Sequence, residues 1–317
     1  MDSPQSALLQ RRFVLMTGKG GVGKTTLVAA LAVHAASLGM RPLVVELGHR
    51  ESMRSVFGVD DIGFKPRDVG LGVHAMSVDV DVAVLDYMLE HIPSKRVAKS
   101  IVNNKVLERL FAAMPAVGEI ATINKLRQLE AETTSTGQRR WGPIFVDLDA
   151  TGHALMFLEL RSVIDNIMGS GPMKRLVEET AEMLADANTT RLCLVATPAE
   201  LPVTETIELY GKLEGRGTVT FGSIFANRMP QVPLSAESIA ALDQVEAAAQ
   251  SVGRSDVTAD VAWARVALRQ AAAAREQIDR LRAAVPLPIV ELPQLPAARM
   301  DADVLGRLGA LAAGGVA

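Results

Sequence analysis

Short apolar runs alternate with longer amphipathic segments along most of the chain. The apolar runs are rich in Val, Leu, Ile or Phe and have the length of buried strands, whereas the segments between them have helical periodicity. This alternation predicts an α/β fold in which a mostly parallel sheet is flanked by helices on both faces. The predicted strands are residues 12–17, 42–47, 143–148, 191–197, 219–226 and 287–292, and the clearest predicted helices are 24–39, 203–214 and 258–284.

Two stretches depart from the alternation and predict helical segments inserted within a single domain that spans residues 1–317. Residues 78–132 place apolar side chains at helical spacing and carry a break at Pro115. Residues 156–187 predict a second helical pair that contains four methionines: Met156, Met168, Met173 and Met183. Methionine-containing helices either fill a core or form an adaptable binding groove for a hydrophobic client, and the sequence leaves both open.

The composition of the chain argues against several classes of function. The chain has 317 residues and a net charge of −3 with dispersed basic residues, which argues against a nucleic-acid groove. Its single cysteine, Cys193, excludes an internal disulfide and a thiolate metal site, and its apolar neighbours predict burial. No run of about 18 apolar residues is present to cross a membrane, and no signal peptide is recognisable, so we expect a cytoplasmic protein. The Ala/Gly-rich segment 309–317 has low complexity, and we expect its last residues to fray.

The segment between the first predicted strand and helix carries the strongest chemical signal. It satisfies the phosphate-loop pattern, in which glycine amides and a helix N-terminus surround phosphate oxygens. Lys24 is placed to reach the β and γ phosphates of ATP, or the β phosphate of ADP, and the Thr25 hydroxyl is placed to bind Mg²⁺. Thr26 is expected to contact phosphate as well. The predicted nucleotide-binding residues of this loop are Gly18, Gly20, Gly21, Val22, Gly23, Lys24, Thr25 and Thr26.

A dinucleotide-binding fingerprint is the alternative for this segment. Gly18, Gly20 and Gly23 also fit Gly-x-Gly-x-x-Gly, and Glu46 ends the next strand where a ribose-binding acid would lie. Such a site has no use for a Lys-Thr pair directed at a γ phosphate and a metal ion. The pair Lys24-Thr25 therefore favours the phosphate loop.

Two further residues complete the predicted site. Asp147 ends the strand at 143–148, where a Walker-B-type carboxylate supports the Mg²⁺ shell, although an Asp in this place can also be a helix cap. Lys19 is a second lysine within the loop that a standard phosphate loop does not need. It is either a solvated loop residue or a group with a separate task.

Several motifs resemble the arsenite-pump and tail-anchored-protein-targeting family of ATPases, which carry a deviant Walker A P-loop. The most specific are Lys-Gly-Gly-Val-Gly-Lys-Thr-Thr at residues 19–26 and Asp-x-x-x-Thr-Gly-His-x-Leu at residues 147–155. Weaker matches are a Thr-Pro segment at 197–206, Asn227 at the end of a strand, a late loop with Pro293, and a Pro-x-x-Gly-Glu turn at 115–119.

The resemblance implies a P-loop NTPase fold and a dimer that ATP closes and hydrolysis opens. It implies that Lys19 reaches the partner's nucleotide in trans, that His153 senses the γ phosphate from the second switch, and that Asn227 reads adenine beside Pro293. It also implies that the helical segments at 78–132 and 156–187 move with this cycle and bind a hydrophobic client. Lys19, Lys24, Asp147, Asp149 and His153 are the predicted catalytic residues.

The chain departs from the family at several positions. One cysteine cannot form the triplet that arsenite pumping needs, and the zinc-binding Cys-x-x-Cys of many targeting members is absent. Gly48 lies where the family has the aspartate that orients the attacking water. Asp149 could orient the water instead, Glu46 or Glu51 are weaker substitutes, or the chain turns over slowly.

These departures leave two functions open. The chain is either an ATPase that releases a protein client on hydrolysis, or a nucleotide-binding scaffold with little turnover. It forms either a homodimer or a heterodimer with a better-equipped paralogue. An anion-transporter subunit is disfavoured.

Overall fold

The computed structural model describes residues 8–48, 52–91, 117–148, 172–215, 219–296 and 300–314. An eight-stranded sheet forms the centre of this part of the chain, in the order β3-β4-β2-β5-β1-β6-β7-β8. Every neighbouring pair is parallel except β3 and β4. The strands are β1 (Phe13–Thr17), β2 (Leu43–Leu47), β3 (Arg67–Asp68), β4 (His74–Val78), β5 (Ile144–Asp147), β6 (Thr190–Ala196), β7 (Phe221–Met229) and β8 (Ile289–Pro293).

The fold is therefore the predicted α/β class of P-loop NTPases. All six predicted strands are present within a few residues of their expected bounds. The described helices are α1 (Lys24–Ser37), α2 (Ser52–Phe57), α3 (Val80–His91), α4 (Val117–Ala131), α5 (Pro172–Ala185), α6 (Glu200–Leu213), α7 (Ala236–Ala240), α8 (Leu242–Ser251), α9 (Ser255–Ala284) and α10 (Ala302–Ala312).

Each face of the sheet supports its own hydrophobic core. Along β1, Phe13 and Leu15 point into one core, whereas Val14 and Met16 point into the other, as the two-residue period of a strand requires. The first core receives side chains from α3, α4, α6 and the C-terminal part of α9. The second core receives α1, α2 and α10. The result is a three-layer arrangement with the sheet buried in the middle.

The predicted helical segments are described only in part. Within 78–132, α3 and α4 are described, and α4 buries Ile120, Ile123 and Leu126 in the first core. Within 156–187, the described helix is α5, whose Met183 packs against the same core. Residues 92–116 and 149–171, which include Met156 and Met168, lie outside the described residues.

The C-terminal segment is helical where its composition suggested low complexity. Gly309 lies inside α10 and packs directly on α1, because a Cβ built on Gly309 would lie 2.1 Å from the Ala30 carbonyl oxygen. The small side chains of both helices allow this close approach. None of the helices in the described ranges combines the length and the apolar character needed to span a lipid bilayer.

Candidate functional site

The phosphate loop connects β1 to α1 at the carboxyl edge of the parallel sheet, where α/β folds bind their ligands. At two positions of the loop, a side chain larger than that of glycine would clash with a neighbouring strand. A Cβ on Gly18 would lie 2.2 Å from the Val195 carbonyl oxygen of β6, and one on Gly23 would lie 2.4 Å from Nδ2 of Asn227. Gly23 also has a φ of 94°, which favours glycine. The loop therefore packs closely against β6 and β7. Its backbone amides are the groups expected to bind phosphate.

Lys24 begins α1 and is only 4% exposed. Its Nζ donates to the Gly18 carbonyl at 3.0 Å and to the Lys19 carbonyl at 3.2 Å. The ammonium group therefore lies over the loop that encloses the phosphate position. A buried cation held at this point supplies a charge that water cannot screen effectively.

Thr25 and Asp147 meet directly. The Thr25 hydroxyl donates to Oδ2 of Asp147 at 2.6 Å, and Asp147 ends β5, the strand beside β1. One hydroxyl and one buried carboxylate are oxygen donors of the kind that Mg²⁺ prefers, since this ion keeps several waters and substrate phosphates in its shell. The donor set and the glycine cradle together fit a Mg²⁺–nucleotide complex.

Glu46 lies beside Asp147 in the register of β2 and β5 and is 1% exposed. Its Oε1 accepts a hydrogen bond at 2.8 Å from the backbone N–H of Ser52, the first residue of α2. Glu46 therefore ties the end of β2 to the start of α2. Its suggested role in orienting water stays a prediction, as does that of Glu51, which lies outside the described residues.

Gly48 follows β2 with a φ of 93°, a conformation that favours glycine over aspartate. Its N–H donates to the Val78 carbonyl at 3.1 Å, which fixes the loop to the end of β4. The backbone at the position of the family's water-orienting aspartate is thus adapted to a glycine. Asp149 and His153 lie outside the described residues, so their proposed roles stay predictions.

Lys19 forms an ion pair with Glu205, which was not among the predicted site residues. Its Nζ lies 2.5 Å from Oε1 of Glu205 on α6, with both side chains about 30% exposed (31% and 29%). The sequence feature that could have identified Glu205 is the segment 197–206, which contains this residue and matches a family motif. The ion pair connects the loop's second lysine to a helix of the same chain.

Asn227 lies in β7, beside the phosphate loop, and is 6% exposed. Its Nδ2 donates to the Val22 carbonyl at 2.8 Å, and its Oδ1 accepts from the Arg228 N–H at 3.0 Å. Pro293 ends β8 and pairs with Met229 in the sheet. Asn227 and Pro293 therefore lie near the carboxyl ends of neighbouring strands, and their contact with adenine stays a prediction.

Cys193 lies within β6 and has no exposed surface. Burial raises the pKa of its thiol to about 12, because a thiolate would have no water around it. The cysteine is therefore a core residue, as its apolar neighbours predicted.

Comparison with known proteins places the chain in a family. A family model described as anion-transporting ATPase matches residues 11–179, more than half of the chain. The ATPase BagA of Mycobacterium tuberculosis is 26% identical over 255 residues, which cover 79% of this chain and 74% of that protein.

Two other relatives cover similar shares of this chain. The ATPase GET3C of Arabidopsis thaliana is 24% identical over 270 residues, which cover 70% of this chain and 68% of that protein. An arsenical pump-driving ATPase of Escherichia coli is 26% identical over 246 residues, which cover 72% of this chain and 41% of that protein.

Proposed function

Because the chain belongs to the anion-transporting ATPase family, we propose that this ATP-hydrolysing enzyme works as a dimer that couples its nucleotide state to a protein client or partner. The bond between Thr25 and Asp147 carries the proposal for the site. It places the hydroxyl and the carboxylate expected to hold Mg²⁺ beside a glycine loop and a buried lysine. Lys24 binds the β and γ phosphates of ATP, and Thr26 and the loop amides bind the remaining phosphate oxygens.

In this proposal each group has a distinct task. Thr25 and Asp147 hold Mg²⁺, which neutralises phosphate charge when bound. Lys24 stabilises the charge that develops on the transferred phosphoryl group. Asn227 keeps the loop attached to β7 through Val22 and contacts the adenine ring. His153 and Asp149 act from the second switch on the γ phosphate and the attacking water.

Lys19 supports the dimer. The phosphate position is already served by Lys24, and Lys19 is held outward on Glu205 with about one third of its side chain exposed. A lysine at this location is free to reach the nucleotide of a second subunit once its ion pair opens. ATP therefore joins two subunits. Hydrolysis and release of phosphate then remove the negative charge of the γ phosphate, which attracts Lys19. The partner is a second copy of this chain or a paralogue.

The client surface is proposed for the helical segments at 78–132 and 156–187. In the described part, helix α3 exposes two apolar side chains, Val82 and Leu89, on one face, whereas its opposite face packs on the core. Exposed apolar residues on one helix suit a hydrophobic protein client. The methionines at 156 and 168 are candidates to extend this surface.

A low-turnover scaffold is the second candidate, and Gly48 favours it. Gly48 has no carboxylate to orient the attacking water, and its left-handed backbone conformation favours glycine at this position. Under this alternative, ATP binding closes the dimer and hydrolysis is a slow release step. Asp149 distinguishes the two candidates, because it is the residue we propose to compensate for Gly48.

The test is Mg²⁺-dependent ATP hydrolysis by the purified chain, with Lys24→Ala as the blank and Asp149→Asn as the second variant. We expect turnover above the blank that Asp149→Asn reduces at least tenfold. Tight ATP binding at blank-level turnover would establish the scaffold instead. Absence of ATP binding in the unmodified chain would contradict both candidates.

A further inference from the structure

Arg228 has an unusual backbone. It is one of two non-glycine residues with positive φ in the described part of the chain, at 61°. This left-handed conformation is unfavourable for a residue with a side chain, because it brings Cβ too close to the following carbonyl oxygen. Residues held in such conformations cluster at binding and catalytic sites, where the surrounding structure maintains them. The strain at Arg228 therefore calls for an explanation from its position.

The position of Arg228 is set by the phosphate loop. Its N–H donates to Oδ1 of Asn227, whose Nδ2 binds the Val22 carbonyl of the loop. A Cβ built on Gly23 would lie 3.9 Å from Nη2 of Arg228. The guanidinium group thus lies beside the residue that immediately precedes Lys24. The strained backbone directs this side chain towards the loop.

The charge of Arg228 has no counterion within the described residues, where its guanidinium group makes no hydrogen bond or ion pair. Arg12, Arg275 and Arg282, by contrast, pair with glutamates. An exposed, uncompensated guanidinium group next to a phosphate loop is suited to a phosphate oxygen of the nucleotide.

Topology selects which phosphate. Thr25 and Asp147 mark the metal end of the nucleotide on the β5 side of β1, whereas Arg228, the second-last residue of β7, lies on the other side. Strands β5 and β7 lie on opposite sides of β1, the strand that precedes the phosphate loop. The Arg228 guanidinium group therefore approaches the loop from the side away from the metal-binding pair, where the α-phosphate and ribose lie in the proposed site.

We propose that the Arg228 guanidinium group binds the α-phosphate of the bound nucleotide and that the left-handed backbone is retained for this contact. The inference rests on the nucleotide site proposed above. It adds a positively charged contact on the side of the loop opposite the metal. It also gives Asn227 a positioning role, because its side chain holds both the loop and the backbone of Arg228.

The experiment compares ADP and ATP affinities by calorimetry for the unmodified chain, Arg228→Gln and Arg269→Gln. Arg269 is an exposed arginine on α9, so it controls for the loss of one positive charge. We expect Arg228→Gln to weaken ADP and ATP binding equally, by about tenfold, and Arg269→Gln to leave both unchanged. The ratio of ATP to GTP affinity should stay constant.

Arg228→Gly separates binding from folding. Glycine accepts the left-handed backbone without strain, so we expect the nucleotide-free variant to melt about 2 °C higher while it binds ADP about tenfold more weakly. A residue with a purely structural role would change the melting temperature alone.

Three results would overturn the inference: unchanged ADP affinity in Arg228→Gln, loss of ATP affinity with ADP affinity preserved, or a changed ATP to GTP ratio. The second would assign Arg228 to the γ phosphate and the third to the base. Failure of the unmodified chain to bind ADP would instead contradict the nucleotide site itself, so the two failures are distinguishable.

Discussion

Glu205 restrains the lysine on which the proposed dimer depends. Lys19 must leave the 2.5 Å ion pair with Glu205 before it can reach a partner's nucleotide. Partly exposed ion pairs of this kind contribute about 1 kcal/mol or less to stability. The cost of opening the pair is therefore small enough for the nucleotide of a second subunit to overcome.

We predict that Glu205→Gln strengthens ATP-dependent dimerisation by up to about thirtyfold, because the dimer opens two pairs and each costs up to about 1 kcal/mol less to open. Sedimentation velocity with ATP measures the dimer dissociation constant. Glu208→Gln is the matched control, since Glu208 is an exposed glutamate on the same helix. A weaker dimer in Glu205→Gln would mean that Glu205 contributes to the interface.

Cys193 offers a chemical readout of the core. Burial raises the pKa of its thiol to about 12, so the folded chain keeps the thiol protonated, whereas the unfolded chain ionises it near its ordinary value. This group therefore contributes its full stability below the unfolded pKa, and that contribution is lost as the pH rises towards the folded pKa.

We predict that iodoacetamide at pH 9 leaves Cys193 unmodified in the folded chain and modifies it fully in denaturant. Mass spectrometry of the intact chain measures both. Rapid modification of the folded chain, at a rate above that of global unfolding, would contradict the burial of β6.

The candidate site was predictable where chemistry depends on local sequence. Gly18, Gly23, Lys24 and Thr25 follow one another in a fixed motif, and the strand before them identifies the edge of the sheet. The partners of Lys19 and Arg228 were not predictable, because their contacts join segments far apart in the chain. Such contacts depend on the order of strands, which apolar runs do not reveal.

Helix α10 shows how close packing depends on individual glycines. Gly309 faces the backbone of α1, and a Cβ there would lie 2.1 Å from the Ala30 carbonyl oxygen, whereas a Cβ on Gly306 would meet nothing within 4 Å. Both glycines lie inside the same helix. One is required by a neighbour, and the other only weakens the helix.

We predict opposite effects for the two alanine variants. Gly309→Ala should destabilise the chain by about 1–3 kcal/mol, because the two helices must separate. Gly306→Ala should stabilise it by about 0.5–1 kcal/mol through helix propensity. Urea denaturation measures both, and a stabilised Gly309→Ala would contradict the contact between α1 and α10.

Helix α10 is one of the elements that the sequence pattern did not predict. Its Ala- and Gly-rich composition resembles a flexible tail, and only the contact with α1 gives those small residues a structural purpose. Strand β4 was missed for a related reason, since His74 and Ser77 interrupt its apolar run. Strands β1, β5 and β6 were predictable because burial on both faces makes them continuously apolar.

The complete enzyme is proposed to need two chains for each active site, and this requirement has a quantitative consequence. If Lys19 acts in trans and Lys24 in cis, the variants Lys19→Ala and Lys24→Ala are each inactive as homodimers. In a mixed dimer, one site combines an intact Lys24 with the partner's intact Lys19, and the other site lacks both. A homodimer in which Lys19 acts in trans can therefore recover activity when two inactive variants are mixed.

We predict that an equal mixture of Lys19→Ala and Lys24→Ala hydrolyses ATP at about one quarter of the unmodified rate, because half of the dimers are mixed and each holds one complete site. A double variant, Lys19→Ala with Lys24→Ala, mixed with either single variant is the control and should remain inactive. No recovery, despite mixed dimers detected by sedimentation, would mean that Lys19 acts within its own chain. Activity in Lys19→Ala alone would remove the need for a second lysine altogether. Recovery near one quarter would establish that the ion pair between Lys19 and Glu205 is the resting position of a residue that belongs to the neighbouring site.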